Sequence, residues 1–511
     1  MEKKNTYKNI IIPFAFKFII IILNIFVTRY LIEYIGTEAN GLYSLYNSII
    51  GFLSIAELGI GTAISFSMYK PIVNNNLDKV SGLYYYFIEA YRIISLVILI
   101  CGLCLMPFLP YLAKDYSLDI NLYYSFSLML VSVLLSYQYS AKYSLINAHK
   151  KNYVTNIANN IGITIQYSLQ ILVLILTGSF ILFLWCRIIS YIIRWIILNI
   201  IAKKRYSQII DNKVKCDKVT RTEVKKYIKA MFMHKIGNAL VNTIDAIIIS
   251  SFIGIAILGK YQCYISIMLS MTGILSLFFT PLTSTIGQMC VKESNKKKIK
   301  YFKIILIFSI VLELIFFVGY YSVINYVINI CFGPDLLLSD MTVFIITINY
   351  LIQFQRNTVN LFKEASGAFY YDRWKPLLEG IINLILSLIF VRYFGIAGVI
   401  LSTIATNLLI CHVIEPYVLY KYTFTSSPAK YYIYNYSSMA FCIGIIILVH
   451  YCHIECSNDW LNLLFNGLIS FGISSIFVAM IIIVSKDFRI FIKNRLTDVK
   501  TKLIKPKKSK I

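Results

Sequence analysis

The sequence is poor in charge. Only 14% of its 511 residues are Asp, Glu, Lys or Arg, against roughly 25% in an average soluble domain. With 58% of the chain hydrophobic, too little polar surface remains for a soluble protein of this size. The low hydrophobicity that marks a disordered chain is missing as well. Cysteine is sparse, 11 residues in all, far below the density of a disulfide-stapled secreted module. Signatures of catalysis are also lacking: there is no G-x-x-x-x-G-K-[ST], no G-x-S-x-G and no H-E-x-x-H. The links between apolar stretches are too short to hold a nucleotide-binding domain or an external catalytic surface. No enzyme, no metal site and no organic cofactor are therefore expected. The one Cys/His cluster, His450, Cys452, His453 and Cys456, has the spacing of no standard zinc site, although a Cys452–Cys456 disulfide is compatible with an outer link.

What the sequence has in abundance is long apolar runs. A spanning helix needs about 20 of them in a row, because the hydrocarbon core is about 30 Å thick and each residue rises about 1.5 Å. About fourteen stretches qualify: 9–30, 42–69, 93–113, 122–145, 154–176, 180–202, 228–253, 261–289, 304–328, 341–362, 376–394, 398–419, 432–449 and 461–484. They are too long for the strands of a membrane barrel, so the expected fold is all-α and polytopic. The first run contains Lys17 and lacks a small-residue cleavage site, and is read as a retained span rather than a signal peptide.

The formal net charge of +25 then finds its place. Lys and Arg crowd alternate links, most densely in 203–229, in 292–303 and in the tail from Lys486, whereas the opposite links hold only Arg29, Lys114, Lys260 and Arg392. This is the positive-inside pattern, and it puts both termini in the cytoplasm. Basic loops scattered between apolar spans suit anionic lipid headgroups, and nucleic acid is not an expected partner.

The chain also repeats itself. Residues 14–49 align without a gap to 232–267, with coincidences at Phe14/Phe232, Lys17/Lys235, Asn24/Asn242, Gly36/Gly254, Gly41/Gly259, Tyr43/Tyr261 and Tyr46/Tyr264. Six spans separate equivalent points, so both copies cross the membrane in the same sense. Two parallel six-helix halves follow, 1–202 and 228–420, joined by a basic linker, 203–227. Two appended spans, 421–484, and a basic cytoplasmic tail, 485–511, complete the chain. Secondary transporters are commonly built from such halves. The glycines 36, 41, 254 and 259 fall at the outer link of each repeat, where a short turn calls for φ > 0.

Polar residues inside spans are costly, about 2.5–3.5 kcal/mol for a charge at the helix centre, and usually face a cavity. Lys17, Asn24 and Thr28 form one stripe, and Lys235, Asn238, Asn242 and Asp245 form another. Asn47, Ser54, Glu57, Gly61 and Ser65 share a face, as do Arg187, Ser190, Tyr191 and Arg194. The longest stripe is Asn349, Gln353, Arg356, Asn357, Asn360 and Glu364. Two readings compete: interhelical glue with snorkelling cations, or the lining of a water-filled cavity. Under the second, Lys17, Asn24, Lys235, Asn242, Gln353, Arg356, Asn357 and Asn360 contact substrate, and the cations suit an anion such as a diphosphate. Glu57 and Asp245 are then the candidates for coupling to H⁺ or Na⁺.

Several segments resemble the polysaccharide flippase family (the Wzx type), within the larger group that includes multidrug/toxin extrusion transporters and the lipid II flippase. They are Ala56-Glu57-Leu58-Gly59-Ile60-Gly61-Thr62-Ala63, Asn242-Thr243-Ile244-Asp245 with Gly259-Lys260-Tyr261, Asn383-Leu384-Ile385-Leu386-Ser387 and Gly395-Ile396-Ala397-Gly398-Val399. Ala246 stands where that family often has Arg. The resemblance implies translocation of an undecaprenyl-diphosphate-linked oligosaccharide across the bacterial cytoplasmic (inner) membrane by alternating access. It also implies membrane lipids and polysaccharide polymerase or assembly proteins as partners. A drug/cation antiporter of the same fold and a non-transporting scaffold of an envelope-assembly complex are the alternatives.

Overall fold

The computed structural model describes residues 2–57, 60–279, 282–490 and 493. Among them the chain forms seventeen α-helices and no strand. The first nine are α1 (Glu2–Tyr34), α2 (Thr37–Leu53), α3 (Ile60–Val73), α4 (Leu77–Leu105), α5 (Leu109–Leu112), α6 (Leu122–Ala148), α7 (Asn152–Thr177), α8 (Phe180–Ile210) and α9 (Lys218–Ile248). There follow α10 (Ile255–Phe279), α11 (Leu282–Lys292), α12 (Asn295–Phe332), α13 (Asp340–Ser366), α14 (Lys375–Thr406), α15 (His412–Leu419), α16 (Ala429–Tyr451) and α17 (Asp459–Val484). Among the described residues the expected spans fall largely on helix. Eight stretches among the described residues are long and apolar enough to cross a membrane, one of them the 50-residue run Lys375–Phe424 that carries the eleventh and twelfth spans.

Local chemistry sets the helix ends. Asn121, Ser179, Ser339 and Asn458 each accept a hydrogen bond from a backbone N–H of the first turn that follows, satisfying a donor that has no partner within the helix. Gly178 (φ 57°) and Gly367 (φ 76°) stop α7 and α13 in the left-handed region, where glycine carries no Cβ penalty.

Burial is inverted relative to a soluble helix. On α17 the buried residues are Asn462, Asn466, Ser470 and Ser474, while Leu464, Phe465, Leu468, Phe471 and Ile476 are exposed. Ser474 donates to Leu314 O at 2.9 Å, and Ser322 of α12 donates to Asn466 O at 2.9 Å. Small polar residues thus draw α17 against α12, and apolar side chains face outward, as expected of helices packed within lipid. The protein is an all-α polytopic membrane protein.

The helices group into two compact units, Met1–Ile265 with Trp374–Thr403, and Ser266–Arg373 with Ile404–Ile511. In the first, α7 packs between α1 and α8, α6 lies against α4 and α8, and α9 runs along α2. In the second, α12 is the central member, flanked by α13, α16 and α17.

The four repeat glycines divide into two kinds. Gly36 (φ 120°) and Gly254 (φ 143°) adopt the backbone expected of an outer turn. Gly41 and Gly259 do not, and the expectation of a positive φ is corrected there: both lie inside helices, at the point where α2 and α10 cross. A Cβ on Gly41 would stand 2.0 Å from Ile255 O, and one on Gly259 would stand 2.1 Å from Thr37 O. Close backbone approach, not turn geometry, requires them. Asn40 Nδ2 donates to Gly259 O at 2.9 Å and Ser44 Oγ to Gln262 Oε1 at 2.9 Å, closing the crossing.

The second expected span is also interrupted. A 3₁₀ turn, Ser54–Glu57, separates α2 from α3, and Leu58 and Gly59 lie outside the described residues. Cys452 and Cys456 are free. Their link is held instead by Asn462 and Asn466, which bond Cys456 and Ile454 backbone groups, and by His453, which meets Ser322 O at 3.1 Å.

Candidate functional site

In the first unit, α14 turns sharply at Gly395 (φ 55°, ψ −133°), and Gly398 lets the two arms close up, since a Cβ there would lie 2.2 Å from Phe390 O. The hairpin sets Asn383 and Ser387 on one arm opposite Ser402 and Thr403 on the other. Asn383 Nδ2 donates to Thr403 Oγ1 at 3.0 Å, and Ser387 and Ser402 share a hydrogen bond of 2.5 Å. Thr403 Oγ1 in turn stands 3.3 Å from Asp245 Oδ2 and 3.4 Å from Val399 O. Asp245 comes from the last turn of α9, and its Oδ1 is buried with no hydrogen-bond partner among the described residues. A hydrogen-bond chain therefore runs from the Asn383 amide through the Thr403 hydroxyl to Asp245 Oδ2, and leaves Asp245 Oδ1 buried and unsatisfied among the described residues. A buried carboxylate oxygen left open in this way suits a hard cation or the uptake of a proton. Asp245 is a sequence-derived candidate; Asn383 and Thr403 are not. Their signal was the pair of short motifs on either side of Gly395, which spacing alone did not join to Asp245.

Glu57, the other ion-coupling candidate, ends the 3₁₀ turn and accepts a 2.5 Å hydrogen bond from Tyr91 OH. Tyr91 is itself fixed by stacking on Phe87, ring centroids 4.4 Å apart. Glu57 and Asp245 thus occupy separate surroundings, one bonded to a phenol and one bonded through Oδ2 alone to the α14 hairpin.

Two cations of the same unit have no carboxylate. Arg187 donates to Asn47 Oδ1 at 2.7 Å and Tyr43 OH at 3.1 Å, and its guanidinium lies 5.8 Å from the Tyr43 ring centroid. Arg194, buried, donates to Asn159 Oδ1 at 2.9 Å and Ser190 Oγ at 2.8 Å, and lies 4.4 Å from the Tyr191 ring centroid. Gly162 gives it room, for a Cβ there would lie 2.5 Å from Arg194 Cγ. Among the described residues neither guanidinium meets a carboxylate. Holding a buried charge this way costs several kcal/mol per ion unless a counter-charge arrives. Both lay on a recognised polar stripe but stand outside the substrate-contact set drawn from sequence.

Lys17 and Asn24 are half-buried on α1, and Lys17 makes no hydrogen bond or ion pair among the described residues. Lys235 and Asn242, their repeat partners, lie outside the residues whose side chains are described.

In the second unit, Gln353, Arg356, Asn357 and Asn360 are all partly accessible, while Phe354, Gln355, Thr358 and Val359 are buried. From Gln353 onward the predicted stripe is therefore one accessible face of α13, whereas Asn349, its first member, is buried. Gln353 bonds Asn349 Oδ1 at 3.1 Å. Arg356 is forked onto Glu415, Nη2–Oε1 2.7 Å and Nε–Oε2 3.1 Å, and donates to Asn407 Oδ1 at 2.5 Å. Asn407 opens a π-helical turn, Asn407–Cys411, of the kind that often marks functional segments. Lys363 pairs with Asp372 and lies 3.7 Å from Glu415. Two cations here face two carboxylates, so this cluster carries no net charge of its own. Glu313, fully buried, accepts from Gln355 at 3.0 Å and Ser309 at 3.2 Å.

The chain matches no family model, and no curated protein matches it in sequence. Solved structures do match in shape. A lipid II flippase MurJ in an inward closed conformation superposes with a TM-score of 0.65 at 15% identity, over 92% of this chain and 100% of that one. An inward-facing multidrug resistance MATE family transporter gives 0.63 at 11% identity, over 79% and 94%. A MOP superfamily transporter from Pyrococcus furiosus, described as having a binding pocket of reverse polarity, gives 0.52 at 10% identity, over 82% and 96%. The fold of this multi-pass membrane protein is that of MurJ and the MATE transporters of the MOP superfamily.

Proposed function

We propose that this protein translocates a lipid-linked oligosaccharide, carried on a polyprenyl diphosphate, from the inner to the outer leaflet of a bacterial cytoplasmic membrane, without catalysing a covalent step. The observation that carries the reading is the pair of half-buried Arg187 and buried Arg194, cations answered among the described residues only by neutral oxygens and rings. A diphosphate supplies the missing anion, and the planar guanidinium suits its oxygens. Lys17, Lys235 and Arg356 are further contacts for the anionic head, with Asn24, Asn242, Gln353, Asn357 and Asn360 for its sugars. The drug/cation alternative calls for a net-negative path, which two unanswered arginines oppose. Structural likeness to a lipid II flippase supports the lipid-linked class of cargo, and the polysaccharide resemblance supports its use in surface-polymer synthesis, with polymerase or assembly proteins acting on the product.

Asp245 is the proposed coupling group. With the Thr403 hydroxyl beside it, it would hold Na⁺ or, alternatively, a proton on the open Oδ1. Occupancy would draw the two arms of α14 onto α9, and release would loosen them, so that ion and cargo bias the same helices.

Proteoliposomes holding a fluorescent lipid-linked oligosaccharide test the reading. The protein should make label in the far leaflet accessible to a membrane-impermeant quencher, and Arg187→Gln should slow this at least tenfold at unchanged thermal stability. If the wild-type protein moves ethidium but leaves the lipid-linked oligosaccharide in place, the antiporter reading replaces this one. Transport of neither favours a scaffold.

A further inference from the structure

Apart from these groups, the first unit has a recess of about 220 Å³ among α4, α6 and α8. Tyr91, Tyr137 and Trp195 form its walls, and Arg92 and Lys142 are its cations. Among the described residues no acidic side chain lines it. Glu57 lies behind the Tyr91 wall, engaged by the Tyr91 hydroxyl. Lys142 donates to Asn199, a neutral acceptor, and Lys203 stands one turn beyond Asn199 on α8. Arg92 is exposed and meets no carboxylate among the described residues.

The depth of these cations is informative. Arg92 immediately precedes the apolar span 93–113, Lys142 stands in the last turn of 122–145, and Lys203 follows 180–202. The start of α4 and the end of α8 lie together, where Tyr85 OH donates to Ile210 O. Three helices therefore bring a cation to one level at the basic end of the bundle, where headgroup phosphates lie. Trp195, exposed at the same place, suits the interface belt. From that level an apolar strip runs into the hydrocarbon: Ile93, Leu96, Ile100 and Leu103 on α4 are all exposed.

We infer that this recess binds the phosphate headgroup of an anionic glycerophospholipid. Arg92 and Lys142 take the phosphate oxygens, Trp195 packs on the glycerol region, and an acyl chain lies along the α4 strip. Basic pockets between spans at this depth have the chemistry for such headgroups. A soluble phosphate shares the charge but not the chain, and the exposed strip favours the lipid. The site is separate from the proposed cargo contacts and stands whether or not those are right.

Native mass spectrometry of the purified full-length chain with phosphatidylglycerol or phosphatidylcholine tests it. Wild type should retain phosphatidylglycerol preferentially. Arg92→Gln with Lys142→Gln should lower its occupancy roughly tenfold, the loss expected for charge-assisted hydrogen bonds, whereas Lys296→Gln should not. Binding unchanged in the double variant overturns the proposal, and so does displacement by glycerol phosphate as effective as that by the lipid. Because Lys142 also bonds α8, a second readout protects against misfolding. In an otherwise native chain with Trp185, Trp374 and Trp460 replaced by Phe, brominated phosphatidylglycerol should quench Trp195 more than brominated phosphatidylcholine. Equal quenching overturns the assignment.

Discussion

At the scale of single residues, the cations proposed for cargo differ in what removing them exposes. Lys17 is half-buried with no partner among the described residues. Lys17→Ala should leave stability within about 0.5 kcal/mol of wild type while lowering transport, a split read by thermal melting beside the liposome assay. Arg356→Ala should instead destabilise by about 1–3 kcal/mol, because the buried Glu415 carboxylate loses its forked partner and keeps Lys363 only at 3.7 Å. Replacing both Arg356 and Glu415 by Met should recover most of that loss in a double-mutant cycle. For Asp245, the Asn variant keeps the shape and removes the charge. Transport by Asp245→Asn should no longer respond to an imposed Na⁺ or proton gradient, and a preserved response to either would sink its coupling role. The sequence marked Lys17, Asp245 and Arg356 as unusual because charge within a span is rare. It did not mark Glu415 as the partner of Arg356, 59 residues on, since periodicity relates only residues of one helix.

At the scale of elements, α17 is the clearest case of local pattern becoming structure. Its Asn462, Asn466, Ser470 and Ser474 recur every fourth residue, a stripe readable from sequence once polar-inward packing is assumed. Asn466 bonds the backbone of Ile454 through both Oδ1 and Nδ2 at 2.9 Å. Asn466→Leu should cost roughly 1–2 kcal/mol and speed hydrogen exchange at Ile454, the amide it releases. The start of α9 lies outside the bilayer spans and obeys aqueous rules. Asp217 accepts the Thr220 N–H at 3.0 Å, and hydrogen bonds from Thr220 hold its carboxyl below the usual range. A depressed carboxylate stabilises above its unfolded pKa, near 3.9, and loses that contribution as pH falls through its lower folded value. Asp217→Ala should therefore cost about 0.5–1 kcal/mol at neutral pH, and its difference from wild type should vanish in acid. A pH-independent difference would show that the charged cap is not its source.

At the scale of the whole molecule, the repeat determines a contact. Gly41 meets Ile255, and Gly259 meets Thr37; each pair is the other shifted by the repeat. A local two-fold axis thus passes through the α2–α10 crossing, and the two glycines are equivalent places in it. Gly41→Leu and Gly259→Leu should each force the helices apart, at about 1–3 kcal/mol by overpacking. The double variant should cost clearly less than the sum, because one separation relieves both clashes. Additive costs would mean that the two sites yield independently.

The sequence by itself determined the membrane as solvent and the all-helical class, and it carries the repeat of 14–49 in 232–267. These depend on composition and on periodicity within one helix, which no distant residue alters. It also picked the accessible face of α13 from Gln353 onward, though not the burial of Asn349, because a 3.6-residue period fixes which side chains lie together. Tertiary structure alone decided what each charge meets. It forked Arg356 onto Glu415, left Arg187 and Arg194 among neutral oxygens, and folded α14 at Gly395 so that Asn383 bonds Thr403, which reaches Asp245. It moved Gly41 and Gly259 from turn to crossing. Such outcomes rest on which helices are neighbours, and inside a membrane, where lipid is as apolar as any side chain, that choice is made by close packing and hydrogen bonds between helices rather than by hydrophobic pattern.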